Sequence, residues 1–126
     1  MIDIDCFSQI VNTQAEKLPE MVFTQLNLGI GVTEYAKLEQ HSQADRPLYI
    51  LGEYHVHHAM GRGILIYYGS FRHVYPQLDE AEMATEILRV LKHELTHHLE
   101  SLAGARDLEI TDARFLIDYL SGGSTL

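Results

Sequence analysis

Residues 92–112 read KHELTHHLESLAGARDLEITD, and the helix implied by residues 92–104 is the element around which the rest of the chain is organised. His93, Glu94 and His97 form an H-E-x-x-H pattern. At ~100° per residue, positions four apart differ by about 40° around a helix axis, so two imidazoles one turn apart can chelate a single ion. Glu94 is turned ~100° from His93 and reaches the ion's bound water rather than the ion. Zinc lowers the pKa of such a water toward ~7, where an adjacent carboxylate can take its proton.

The surrounding residues give this helix its limits. Asp79 is the expected N-cap, and Glu80 and Glu82 suit the positive end of the helix dipole. The pattern runs to Ala103, with Gly104 as the expected C′ residue. With His93 at zero, Ala84, Leu88, Leu91, Leu95 and Leu102 fall between roughly 160° and 220°, while Glu86, His97, Glu100 and Gly104 lie within about 40° of zero. The expectation is a core stripe opposite the histidine pair. His98 is turned ~140° away, toward the core boundary, and is expected to be packed or hydrogen-bonded rather than a ligand.

A catalytic zinc needs a third protein ligand, and four carboxylates compete: Glu100, Asp107, Glu109 and Asp112. From His97 to Gly104 the helix advances about 10 Å. If Gly104 reverses the chain, three extended residues return by ~10 Å. Asp107 then lies level with His97, and Glu109 nearer His93. Glu100 is on the right face but almost a turn too high, and Asp112 is also a candidate N-cap. Asp107 is preferred, with the others left open.

Outward from this helix, Ile4 to Leu18 carries Phe7, Ile10, Val11, Ala15 and Leu18 at helical spacing. Pro19 fits the first turn of a short second helix, Glu20 to Leu26. Leu28 to Val32 reads as a short strand and Ala36 to Pro47 as a polar loop. Leu48 to Tyr54 and Ile64 to Phe71 read as strands joined by a hairpin longer than two residues. Gly69 would permit close backbone approach. A last helix follows, capped by Thr111 or Asp112, with Phe115, Leu116, Tyr119 and Leu120 as its apolar face. Helices flanking a small sheet give an α+β class in a single domain, residues 1–126.

His55, His57 and His58 cluster in the hairpin without a carboxylate or cysteine to complete a second metal site, and are read as a polar turn. One of them, or Tyr54, is a candidate to stabilise an oxyanion at the zinc cleft. The net charge of −9, from 18 acidic and 9 basic residues, opposes binding to nucleic acid. Cys6 is the one cysteine, so no intrachain disulfide forms. The N-terminus lacks a signal pattern and no apolar run approaches the ~20 residues of a membrane span. A cytoplasmic protein with no membrane association is expected.

The stretch HELTHHLESLAGARDLEITDA, with LYILGEYH and GRGILIYYGSF upstream, resembles the small bacterial zincin-like metallopeptidases, or minimal zincins. The resemblance implies a reduced zincin core and zinc-dependent hydrolysis of a peptide or protein substrate. It implies His93 and His97 as ligands and Glu94 as general base. The family pattern is H-E-x-x-H-x-x-G-x-x-D, but Glu100 stands at its glycine position. Matching G-x-x-D from Gly104 gives Asp107, whereas matching the following helix (DARFL) gives Asp112. The competing expectation is a zinc-binding or regulatory module of the same fold that hydrolyses nothing.

Overall fold

The computed structural model describes residues 1–122. Helix α1 (Ile4–Glu16) is capped by Asp3, whose carboxylate accepts the Cys6 amide at 2.8 Å. It ends before the last residues of its periodic pattern, and Leu18 is buried beyond the helix. A single 3-10 turn, Glu20–Phe23, follows Pro19. The strands are β1 (Gly29–Thr33), β2 (Lys37–Leu38), β3 (Tyr49–Ile50), β4 (Gly52–His57) and β5 (Gly61–Tyr67). The order in the main sheet is β1-β5-β4, with β1 parallel and β4 antiparallel to β5. The chain is α+β, as expected.

Two expectations about the strands are corrected. The stretch expected to be loop from Ala36 contains β2, which pairs with β3 as a separate two-stranded ladder. The strand expected to reach Phe71 stops at Tyr67, and Tyr68–Val74 form helix α2. Beyond Tyr67 the buried aromatics are Tyr68 and Phe71, three apart, and both meet the Phe7 ring edge-on at 5.1 and 5.0 Å. Packing against α1 thus takes over from sheet alternation. Gly69 does permit close approach, but by this chain's own backbone: a Cβ there would lie 2.5 Å from the Ala36 nitrogen.

Helix α3 (Glu80–Gly104) carries the H-E-x-x-H residues. Its start is a capping box, in which the Asp79 carboxylate accepts the Glu82 amide and Glu82 accepts the Asp79 amide. Its end differs from expectation. Gly104 is still helical, Ala105 is the C-cap, and Arg106 takes the left-handed conformation with φ 63°. The Arg106 amide donates to the Ala103 carbonyl and the Asp107 amide to Leu102, the Schellman pattern with arginine in the glycine position. Helix α4 (Ile110–Leu120) has Glu109 rather than Thr111 or Asp112 at its N-cap position. It buries Ala113, Leu116 and Leu120, whereas Phe115 is 66% exposed and Tyr119 41%.

The core stripe of α3 is also turned. Its buried members include Met83, Ile87 and Val90 besides Leu91, Leu95, Leu99 and Leu102, while Ala84 and Leu88 are only half-buried. On the helical wheel these span roughly 60° to 240° from His93. The stripe therefore borders the histidine pair instead of opposing it, because α1 and the sheet pack on neighbouring sides of one helix. Glu94, at about 100°, falls inside it. Among the described residues no helix is long and apolar enough to cross a membrane.

Candidate metal centre

His93 and His97 lie one turn apart on α3, and their Nε2 atoms are 3.2 Å from each other. Two bare nitrogen lone pairs at that separation repel, so a shared proton or a cation must lie between them. A tetrahedral ion bonded at about 2.0–2.1 Å to each nitrogen requires a separation of about 3.3 Å. The pair therefore fits one edge of a zinc site. Glu100 lies 3.4 Å from His97 Nδ1. At that distance the carboxylate stands near Nδ1 without a hydrogen bond to it, and Nε2 is the nitrogen turned toward His93.

Glu94 projects from the same turn into a different environment. Its residue is 7% exposed, and its Oε1 accepts the Tyr54 amide of β4 at 2.9 Å. Burial raises its pKa, opposed by the histidine pair and by the Tyr54 amide. A carboxylate pushed upward in this way is a stronger proton acceptor than an ordinary one. Gly52 makes the approach of β4 possible: a Cβ there would lie 2.7 Å from Val90 Cγ1 and 3.5 Å from Glu94 Cγ.

Behind the pair, a polar chain ties the sheet to α3. His98 is fully buried, and its Nε2 lies 2.6 Å from the Thr24 carbonyl, so it carries the proton there. Nδ1 is then an acceptor for the Tyr54 hydroxyl at 2.9 Å. That hydroxyl accepts in turn from Arg62 at 3.3 Å, and Arg62 also donates to Ser101 at 2.7 Å. Burial lowers the His98 pKa, consistent with a neutral ring. The expectation of a hydrogen-bonded His98 agrees with this geometry. Tyr54 meets Glu94 through its amide while its hydroxyl is engaged at His98.

The carboxylates weighed as third ligand are dispersed. Asp107 lies 3.6 Å from Arg62 Nη2, at the turn leaving α3. Glu109 and Asp112 are exposed at the start of α4. Among the described residues no three histidine, cysteine or carboxylate side chains are gathered as a metal-binding set. The hairpin histidines are not gathered either, and His57 Nδ1 accepts the amides of Ala59 and Met60, closing the turn.

A cleft of about 230 Å³ opens beside the pair, between Tyr49–Gly52 and the α3 residues Arg89, Val90, His93 and Glu94. Sequence reading missed Arg89 and Arg62. Both stand outside the motif: Arg89 comes one helical turn before His93 on α3, whereas Arg62 is brought near only by the sheet's position on that helix.

No family model matches the sequence and no curated protein is similar to it. Among solved structures, a conserved hypothetical protein from Thermus thermophilus is similar, with a TM-score of 0.69 and 33% identity. The match covers 82% of this chain and 99% of that one. The two proteins belong to one family. Nearly all of the Thermus chain is therefore matched by the domain that presents the histidine pair here.

Proposed function

We propose that the protein is a zinc-dependent peptidase of the minimal zincin type. The observation that carries this reading is the conjunction of two convergent imidazole nitrogens at 3.2 Å with a buried carboxylate on the residue between them, with His93 and Glu94 lining one cleft. His93 and His97 would hold the zinc. Asp107 is the proposed third ligand, and it must leave Arg62 to serve. When bound, zinc supplies Lewis acidity toward a peptide carbonyl and makes a bound water acidic.

The chain's own groups account for the proton. Glu94, raised in pKa by burial, accepts a proton from water entering the cleft and delivers it to the departing amine nitrogen. The Tyr54 amide keeps its carboxylate oriented throughout. The edge strand β4, whose first residue Gly52 lines the cleft, suits an extended peptide. The acidic surface fits a substrate other than nucleic acid, and a cytoplasmic setting is part of the same proposal.

Glu94→Gln tests the assignment. The amide keeps an acceptor for Tyr54 but takes no proton, so zinc content is retained while peptide hydrolysis falls by about 10²–10⁴-fold. Unchanged hydrolysis would remove Glu94 from the chemistry. Stoichiometric zinc without cleavage of any peptide in a diverse library would instead favour the non-catalytic zinc module.

A further inference from the structure

Arg89 stands at the cleft without a role in the fold's core. It precedes His93 by one turn, about 6 Å along the helix. Its guanidinium is anchored from two sides: Nε donates to Glu86 Oε2 at 2.8 Å and Nη2 to the Tyr75 hydroxyl at 3.4 Å. The Tyr75 hydroxyl in turn donates to Glu86 at 3.1 Å. Nη1 has no partner among the described residues, although the side chain lines the cleft beside His93 and Glu94. A fixed guanidinium with free donors is suited to bidentate capture of a carboxylate. On a chain of net charge −9, such a local cation favours the approach of an anionic ligand to this cleft.

We propose that Arg89 is the substrate-recognition residue of this cleft and binds a carboxylate of the peptide, either its C-terminal group or an acidic side chain. The inference rests on the peptidase reading and names its substrate class. An extended residue spans about 3.3–3.4 Å, so a group on Arg89 lies one or two residues from a bond positioned at His93 and Glu94. Glu86 and Tyr75 hold the guanidinium in place before the ligand arrives, which reduces the ordering cost of binding.

The test is titration of the ¹⁵N-labelled protein, with zinc and metal-free in parallel, using N-acetyl-Ala-Ala, its C-terminal amide and N-acetyl-Ala-Glu-amide. At least one carboxylate-bearing probe is expected to bind about tenfold tighter than the neutral amide, with shifts around Arg89. Arg89→Met removes that advantage and Arg89→Lys keeps part of it. Tighter binding of N-acetyl-Ala-Ala assigns the C-terminal group, and tighter binding of the glutamyl probe assigns a side chain. Equal binding of charged and neutral probes, no binding of any, or an advantage that survives in Arg89→Met overturns the proposal. The metal-free arm separates it from the catalytic reading, because carboxylate-dependent binding there persists even if nothing is hydrolysed.

Discussion

Tyr54 and His98 show how much of the site depends on groups that never face the cleft. The Tyr54 amide holds Glu94, while its hydroxyl joins Arg62 to the buried His98 ring. Tyr54→Phe keeps the amide and the ring but leaves His98 Nδ1 without a donor. Loss of one partner of a buried polar group costs about 1–3 kcal/mol, and that is the drop in unfolding free energy expected in urea titrations. A drop within ~0.3 kcal/mol would mean that the ring is satisfied by water, against the cost set for unpaired buried groups. His98 also sets a pH dependence. Burial lowers its pKa, so the native state resists its protonation more than the unfolded chain does. The stability this represents is present above the ordinary histidine range, near ~6.5, and is lost as pH falls through the lower native value. Wild type should therefore lose more stability on acidification than His98→Gln, measured as the urea midpoint from about pH 7 downward. Equal acid losses would show His98 to be accessible. None of this network was legible in sequence, beyond the wheel position that turned His98 inward, since its members come from separate elements.

At the scale of elements, α3 was legible where local chemistry decides and not where tertiary packing does. Asp79 and Glu82 announce the capping box three residues apart, and the structure contains it. The end was misread because glycine is the usual left-handed terminator, whereas here the helix runs through Gly104 and Arg106 takes φ 63°. The stripe was misread because Leu and Ala were weighted above Met83, Ile87 and Val90, whose burial depends on α1 and β4. The C-terminal difference has a sharp consequence. A Cβ at Gly104 meets nothing within 4 Å, and the position is helical. Gly104→Ala should therefore stabilise the protein by about 0.5–1 kcal/mol, where a true C′ glycine would be harmed by alanine. Arg106→Gly should relieve a left-handed residue costing about 1–2 kcal/mol, offset in part by glycine's greater freedom when unfolded. Thermal melts of both variants decide it. A lower melting temperature for Gly104→Ala would return the terminator to position 104.

For the whole molecule, the proposed metal site and the fold meet at one junction, where Arg62 on β5 reaches Tyr54, Ser101 and Asp107. Sequence spacing brought Asp107 forward as third ligand from a chain reversal at Gly104, but the reversal occurs two positions later and Asp107 meets Arg62. Recruiting Asp107 to zinc would thus exchange an ion pair that ties sheet to helix for a metal bond that ties the turn to the histidine pair. Zinc that binds the native state alone stabilises by about 2.7 kcal/mol at roughly a hundredfold excess over its dissociation constant. The melting temperature of wild type should accordingly climb with zinc, and His97→Ala should flatten that climb by removing half of the histidine pair. Asp107→Asn should leave the metal-free melt little changed, because its carboxylate is exposed and meets Arg62 only at 3.6 Å, a contact worth about 0–1 kcal/mol, while weakening zinc's effect. Arg62→Met should do the reverse. It lowers the metal-free melt through the loss of its Ser101 and Tyr54 bonds, and it enlarges the zinc-induced rise by releasing Asp107. If Asp107→Asn responds to zinc as wild type does, the third ligand lies elsewhere, and Glu100, already beside His97, is the next residue to substitute.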